Sequence, residues 1–429
     1  MSIANTAFVI LASVLVWFMT PGLAFFYGGL VSRRNVVNTM LSVFYITGIA
    51  ILLWALVGYE LAFGPDIGGL IGKVQGLFMN GVNLTNLRPD HLSVGTFALF
   101  QMMFAIITPA LFIGAVVGRM RFSFLTWFIV LWSVLIYYPL VHLIWSPHGL
   151  MAGWGVLDFA GGTVIHINAG ITALVLSYFL GARRSKQTAP NNRPWVLLGT
   201  AILWIGWYGF NAGSALAANA IAVNAALTTS LAAASALVTW MCLDAYKHGK
   251  PTLIGVCTGA LCGLVGVTPA CGYVTLFGSF MIGICATATS YFFIEYLKPR
   301  LKIDDALDAF GCHGVSGIVG SILTGVFATK AANPAIAENG LAYGGWHLFG
   351  IQIAGTLVTI LLVGIMAIVI TLVLKHFIPM RVTQHDEALG LDIAEHGEVA
   401  ESSDVDSDVL RYPDEFLGQM RGFDPRSPK

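Results

Sequence analysis

The amino-acid sequence predicts an all-α membrane protein that crosses the bilayer eleven times. Of its 429 residues, 57% are hydrophobic and only 10% are charged, whereas roughly a quarter of the residues are charged in an ordinary soluble domain. The apolar residues also fall into long stretches, and a helix needs about 20 such residues to cross a hydrocarbon core about 30 Å thick. These observations exclude a water-soluble globule.

Eleven apolar stretches have the required length, although the sixth and the eighth are short and rich in glycine. The first stretch is preceded by neither a basic leader nor a small-residue cleavage site, so we interpret it as a retained helix and not as a signal peptide. The predicted helices cover residues 7–31, 39–63, 95–117, 122–144, 158–180, 195–214, 219–243, 252–270, 273–297, 306–328 and 347–375.

The positions of Lys and Arg predict the orientation, because positive charge is retained on the cytoplasmic side of a membrane. Fifteen of these residues lie in the loops after the odd-numbered helices or directly after the last helix. The opposite loops contain three, namely Lys73, Arg88 and Lys330. This asymmetry predicts an outer N-terminus and a cytoplasmic C-terminus.

The remaining composition excludes several other classes of protein. No basic stripe with interleaved aromatic residues occurs, so nucleic acid is not an expected partner. The six cysteines include no CxxC pair, which argues against a disulfide framework and against a zinc site. We interpret these cysteines as packing residues, and no metal or other cofactor is predicted.

A weak internal similarity indicates two halves of five helices each. The motif Ile-Thr-Pro-Ala at 107–110 recurs as Val-Thr-Pro-Ala at 267–270, five helices later. Because five is odd, the two halves would have opposite orientations in the membrane, as the halves of many transporters do. Chance similarity between helices rich in Gly and Ala is the alternative.

Two histidines lie inside predicted helices, where an ionisable group costs at least a few kcal/mol and usually has a function. His166 lies about 12 Å from the outer face and His313 about 10 Å from the inner face, so both fall near the bilayer midplane. Each follows an aspartate near the start of its helix, Asp158 or Asp308. Facing imidazoles can share a proton and offer a nitrogen to a small polar solute. In the alternative, each histidine is bonded separately to a backbone carbonyl.

Several further residues are candidates for an outer site. Asp158 fits a helix cap and can also lend negative potential to a nearby cation. Trp145 lies in the predicted outer loop before the fifth helix, where an interfacial belt residue is the simpler interpretation. Phe104 and Phe210 lie in the outer parts of their helices, and Ser214 follows Phe210 by one helical turn.

From residue 158 to residue 168 the chain resembles the ammonium transporter (Amt/Mep/Rh) family, on the Amt side. The resemblance covers about residues 1–398 and is specific, because many long motifs carry it. They are Asp158-Phe-Ala-Gly-Gly-Thr-Val-Ile-His166-Ile-Asn, Pro21-Gly-Leu-Ala-Phe-Phe-Tyr-Gly-Gly-Leu30, Gly206-Trp-Tyr-Gly-Phe-Asn-Ala-Gly-Ser214, Gly263-Leu-Val-Gly-Val-Thr-Pro-Ala-Cys-Gly-Tyr273, Phe310-Gly-Cys-His-Gly-Val315 and Gly390-Leu-Asp-Ile-Ala-Glu-His-Gly-Glu398.

The resemblance implies a homotrimer of eleven-helix subunits, each with its own pore through an inverted five-plus-five helix repeat. It also implies a role for each candidate residue. The outer recruitment site for ammonium would consist of Trp145, Phe104 and Ser214, with Asp158 holding it in shape. Below it, Phe104 and Phe210 would form a gate, and His166 and His313 would be the twin histidines of the pore. The stretch between Trp145 and Asp158 departs from the family pattern and is one residue longer.

These roles predict a transporter, not an enzyme. Ammonium would be recruited at the aromatic site and deprotonated at the gate, and ammonia would pass the histidines, with the proton transferred separately. A passive ammonia gas channel and an ammonium sensor that signals through its cytoplasmic end are alternatives. A membrane enzyme or metal transporter is a weaker alternative, because two histidines alone do not complete a metal site.

The C-terminal part divides into two regions. Residues 1–380 are the predicted helical domain, and residues 381–398 resemble the family's cytoplasmic C-terminal region, where bacterial members bind a trimeric PII signalling protein. The motif predicts the region, and a PII protein is a candidate partner. Residues 399–429 are acidic and are predicted to be disordered, with docking of residues 409–423 as the alternative.

Overall fold

A computed structural model describes residues 2–184 and 189–401 as a bundle of apolar helices. Within these ranges, ten helices are long and apolar enough to cross a membrane, and an eleventh apolar helix is shorter. Each overlaps one of the eleven predicted stretches, so the predicted order of helices is confirmed. The helices are α1 (Ile3–Leu30), α2 (Arg33–Phe63), α3 (Val94–Ala115), α4 (Phe122–Trp154), α5 (Gly162–Leu180), α6 (Arg193–Gly213), α7 (Ala220–His248), the shorter α8 (Leu253–Val267), α9 (Leu276–Leu301), α10 (Phe310–Phe327) and α11 (Trp346–Phe377).

Polar caps set many of the helix starts. The side chains of six capping residues each accept a backbone N–H of the following turn, which would otherwise lack a partner. They are Ser2, Ser93, Asn192, Asn219, Thr252 and Thr275. The loop between α2 and α3 contains a small antiparallel hairpin of β1 (Asp66–Ile67) and β2 (Ile71–Gly72). Two short helices, α12 (Gln384–Leu389) and α13 (Leu391–His396), follow α11.

The C-terminal segment, formed by α12 and α13, packs against the loops that carry most of the basic residues. Leu391 donates its backbone N–H to Asn35, at the start of α2, and Arg184, after α5, donates its backbone N–H to Glu387. The first residue of α4 makes a similar contact with α13. These loops and the C-terminal segment therefore lie on one side of the bundle, hereafter the inner side. That this side faces the cytoplasm remains a prediction.

A buried arginine joins the inner ends of three helices. Arg119 has no exposed surface, and its guanidinium donates to the backbone carbonyls of Gly181 and Asp304. The Asp304 carboxylate in turn binds Arg183 through both oxygens, at 2.7 and 2.8 Å. Burial opposes ionisation of Asp304, but the bonds to Arg183 and the charge of Arg119 outweigh it and lower the pKa of this carboxyl to about 2.

We expect Asp304→Asn to lower the thermal unfolding temperature at neutral pH. The folded-state pKa of Asp304 lies below its ordinary value of 3.8, so the ion pair stabilises the fold above pH about 4 and loses its effect as the pH falls towards about 2. Thermal unfolding in detergent between pH about 7 and about 3 measures this difference. Glu338→Gln, which changes an exposed carboxylate on the opposite side, is the control. Equal unfolding temperatures at neutral pH would contradict the role of Asp304.

Two of the helices begin with a π-helical turn, and each of these turns contains one of the two candidate histidines. The turns are Gly162–Ile167 in α5 and Phe310–Val315 in α10. A π-helical turn has a wider hydrogen-bond spacing than an α-helix and often marks a functional site. Each histidine therefore lies in a wider first turn, in two different helices.

Candidate functional site

Five of the predicted site residues form one continuous row of rings. From the outer side, Trp145 lies 5.8 Å from Phe104, and Phe104 lies 4.6 Å from Phe210, measured between ring centroids. Phe210 lies 5.8 Å from His166, and His166 lies 5.4 Å from His313. The row connects helices that are distant in the sequence and runs from the outer end of the bundle into its buried centre.

The outer end of the row is more ordered than the sequence predicts. Trp145 does not lie in a loop but is the last residue of a helical segment, Tyr138–Trp145. Its ring meets Phe104 at an angle of 74°, and its indole Nε1–H donates to the backbone carbonyl of Asp158 at 2.9 Å. Both contacts fix the ring of Trp145 at the outer end of the row.

The Asp158 carboxylate caps the first turn of α5. Its Oδ1 accepts the N–H of Gly161, and its Oδ2 accepts the N–H groups of Thr163 and Val164, each at 3.0 Å. Gly161 has a φ of +117°, a conformation that side chains rarely adopt, so a glycine is needed at this turn. Asp158 thus fixes both the start of α5 and, through its own carbonyl, the orientation of Trp145.

The counterpart of Asp158 in α10 is Asp305, not Asp308 as the sequence comparison suggested. Asp305 lies eight residues before His313, the same spacing as from Asp158 to His166. Its carboxylate accepts the N–H groups of the two residues at the start of the next helix, at 3.0 and 2.7 Å. Asp308 instead forms an ion pair with a lysine. The pairing of Asp158 with Asp308 was wrong. Asp308 lies close to the start of α10 in the sequence, but which aspartate caps the helix depends on how the chain turns into its first residues.

The two histidines face each other, but no hydrogen bond links them. Their rings are nearly parallel, at 10°, and both side chains are buried. Among the described residues, His166 Nδ1 and Nε2 and His313 Nδ1 have no hydrogen-bond partner. The rings therefore have no direct hydrogen bond through which to share a proton, and for His166 the backbone-bonded alternative considered from the sequence is contradicted. A buried polar atom without a partner is costly, so these nitrogens are available to a solute that carries its own donor or acceptor.

Trp207 is a site residue that the sequence analysis did not single out. Its ring stacks on that of His166 at 5.4 Å and 17°, and its Nε1–H donates to Thr268 at 2.9 Å. It precedes Phe210 by three residues, so the two rings share one face of α6. That spacing is the signal that could have identified it.

Ser214 lies at the end of α6, one turn beyond Phe210. Its hydroxyl donates to the Phe210 backbone carbonyl at 2.8 Å. Because the hydrogen is used in this bond, the oxygen lone pairs remain available to accept a hydrogen bond. This arrangement suits a solute that only donates.

A cavity of about 190 Å³ lies on the inner side of the histidine pair. Most of its lining is apolar, with His166, His313 and Cys312 at the end nearer the row of rings and Asp308 and Arg183 towards the inner face. Because Phe210, His166 and His313 also border this cavity, it adjoins the inner end of the row of rings.

The chain is similar to known proteins over nearly its whole length. Residues 7–401 match the profile of the Ammonium Transporter Family. An ammonium transporter of Aquifex aeolicus is 47% identical over 402 residues, which cover 92% of this chain and 93% of that protein. The crystal structure of Candida albicans Mep2 is 31% identical, with a TM-score of 0.86, and the match covers 95% of this chain and 91% of Mep2. A solved structure described as a sensor Amt protein is 30% identical, with a TM-score of 0.84, over 92% of this chain and 98% of that chain.

Proposed function

Because this chain belongs to the ammonium transporter family and is a membrane protein with many spanning helices, we propose that it takes up ammonium and conducts it as ammonia past the histidine pair. The observation that carries the proposal is the continuous row from Trp145 through the phenylalanines to His166 and His313. An aromatic entrance followed by unpaired imidazole nitrogens suits a solute that arrives as a cation and continues as a neutral molecule.

The outer end of the row is the proposed recruitment site, built by Trp145, Phe104 and Ser214. An aromatic face stabilises a partly desolvated cation by about 0.5 to 2 kcal/mol. Ammonium carries four donors, and the Ser214 oxygen can accept one of them. Asp158 supports this site indirectly, through its bond to Trp145.

Below this site the cation cannot continue as an ion. Phe104 and Phe210 are 1% exposed and close the path with their rings, and stripping an ion of its water costs several kcal/mol or more. Ammonium can avoid this cost by losing a proton at the gate, after which ammonia can bond to the free nitrogens of His166 and His313. K⁺ has a similar size but no proton to lose, so it is excluded.

At the level of the fold, we propose an inverted repeat of two five-helix halves, trimeric assembly and an outer N-terminus in the cell membrane. The equivalent caps formed by Asp158 and Asp305 and the equivalent π-helical turns around the two histidines support the repeat. The proposed partners of each subunit are therefore the lipid bilayer and the two other subunits of the trimer.

Separate transfer of the released proton along the histidines would make uptake electrogenic, whereas return of the proton to the outside would make the protein a passive gas channel.

Sensing is a second candidate function, favoured by the similarity to the structure described as a sensor Amt protein. The Aquifex aeolicus relative is named an ammonium transporter, and no enzymatic activity is proposed.

Uptake of labelled methylammonium, in cells that lack their own ammonium carriers, separates transport from sensing. A transporter accumulates the label, whereas a pure sensor does not. Electrogenic uptake and passive gas conduction are distinguished with protein reconstituted on a supported membrane. Flux and current are both measured there after a sudden increase in the ammonium concentration. Flux without current would contradict electrogenic uptake, and absence of flux would contradict the proposed function.

We propose that the inner surface formed by the C-terminal segment is regulatory and is a binding face for a PII-type protein. Most of the predicted tail, from residue 402, lies outside the described residues.

We expect deletion of residues 402–429 to leave methylammonium uptake intact, because all residues of the proposed path precede α12. A longer deletion, of residues 384–429, also removes the contacts with Asn35 and Arg184. We expect this longer deletion to alter regulation. Complete loss of uptake in the shorter deletion would show that the tail belongs to the transport unit.

A further inference from the structure

Two cysteine thiols lie in contact beside the histidine pair. Cys262 in α8 and Cys312 in α10 place their Sγ atoms 3.7 Å apart, and both side chains are buried. Cys312 directly precedes His313, and it lines the inner cavity. The packing role predicted for all six cysteines is therefore incomplete for this pair.

The number of available ligands limits what the pair can bind. Across residues 2–184 and 189–401, no group of three or more His, Cys, Asp or Glu side chains is arranged to hold one metal ion. Zinc in proteins normally has four ligands. Two thiolates alone suit soft ions that accept two sulfur ligands in line, a group that includes Cu⁺, Ag⁺ and Hg²⁺.

We infer that Cys262 and Cys312 form a two-coordinate site for a soft metal ion and that an ion bound there blocks the pore. The second part rests on the proposed function. Binding breaks two S–H bonds, forms two metal–sulfur bonds and releases two protons, which leave through the inner cavity to the solvent, without any change in oxidation state. Two thiolates neutralise a divalent ion, and a neutral complex avoids the cost of burying net charge. Hg²⁺ is therefore the appropriate probe, whereas Ag⁺ would leave one negative charge.

The surroundings of the pair can accommodate such an ion. Metal–sulfur bonds of about 2.3 Å in line require a sulfur separation of about 4.6 Å, so the thiols must move apart by about 1 Å. Cys262 has no exposed surface and lies beside the hydroxyls of Ser290 and Ser316. Cys312, in contrast, borders the cavity of about 190 Å³. The movement is therefore directed into the path next to His313, where it would narrow the passage.

The same cavity provides the route of entry for the ion. It reaches the inner face at Asp308, where the charge of the carboxylate is balanced by Lys298. An ion that enters from the inner side thus meets Cys312 before it reaches the histidines.

The site is tested first by binding to the purified full-length chain. Replacing the other four cysteines, at positions 242, 257, 271 and 285, by serine leaves the pair as the only thiols. Titration with Hg²⁺, followed by thiolate–mercury absorbance and intact-protein mass, should show one ion per subunit. Adding Cys312→Ser to this chain should weaken Hg²⁺ binding on the order of 100-fold. Only Cys262 then remains, and the second sulfur ligand is no longer supplied from within the same site.

Methylmercury, which has a single free coordination position, is the matched probe for the same chain with four serine replacements. It should bind Cys312 with similar affinity whether or not Cys262 is present. Equal Hg²⁺ affinity with one or two thiols of the pair, or a stoichiometry of one ion per thiol, would overturn the shared site.

Blockade is tested by flux through reconstituted protein. Hg²⁺ at one ion per subunit should abolish methylammonium flux, and an excess of a small thiol should restore it. Cys242→Ser, which removes an exposed cysteine, should be blocked like the unmodified chain, whereas Cys312→Ser should keep its own untreated flux. Flux that persists with the ion bound would overturn the blockade. Absence of methylammonium flux before any Hg²⁺ is added would overturn the proposed function and, with it, the blockade. The metal site would still be decided by the Hg²⁺ titration.

Discussion

We expect His166→Asp to give a folded protein that admits K⁺ as well as ammonium. A carboxylate at this position would place a negative charge beside the path that the neutral imidazoles now line. A unit charge about 4 Å from a cation stabilises it by about 4 kcal/mol at an effective dielectric constant of about 20. This is comparable with the desolvation cost that keeps K⁺ out, so exclusion by dehydration should fail.

The measurement is K⁺ current and methylammonium flux through reconstituted protein, with His166→Asn as the matched control. Asparagine is polar but uncharged, so it should reduce ammonium flux without admitting K⁺. We expect selectivity against K⁺ to fall by at least an order of magnitude in the aspartate variant only. Unchanged exclusion of K⁺ in His166→Asp would show that the histidine pair does not set the selectivity.

The depth of each site residue could be predicted from the sequence, because helix rise converts a residue number into a position across the membrane. This was sufficient to place His166 and His313 at a common level. The direction in which a side chain points around its helix was harder to predict. The π-helical turns Gly162–Ile167 and Phe310–Val315 change the local periodicity, so counting at 3.6 residues per turn fails where the two histidines lie.

Contacts between distant helices were the least predictable part of the site. Trp207 belongs to the site because α6 places its ring against His166, and the Cys262 and Cys312 thiols meet across 50 residues of sequence. The contact between the thiols has no local signal, and the spacing of Trp207 from Phe210 indicates a shared face of α6 but not the ring that this face meets. Trp207 and Cys312 both lie within family motifs, but the motifs did not indicate which side chains the packing brings against them.

The second large effect concerns the spacing of the two helices that carry the histidines. Gly170 in α5 lies directly against Gly314 in α10, and a Cβ atom at position 170 would be 2.2 Å from the Gly314 Cα. A backbone atom cannot move aside as a side chain can. Because Gly170 lies one turn from His166 and Gly314 is next to His313, this contact sets the distance between the two imidazoles.

We therefore expect Gly170→Ala to separate α5 from α10, to lower the thermal unfolding temperature and to reduce methylammonium flux by at least an order of magnitude. Overpacking in a close-packed core costs about 1–3 kcal/mol, or more where the backbone must shift. Gly350→Ala in α11 is the control, because a Cβ there meets no atom within 4 Å, and it should match the unmodified chain in both measurements. Full flux in Gly170→Ala at an unchanged unfolding temperature would mean that the imidazole spacing is set elsewhere, and the role proposed for the glycine contact would then be wrong.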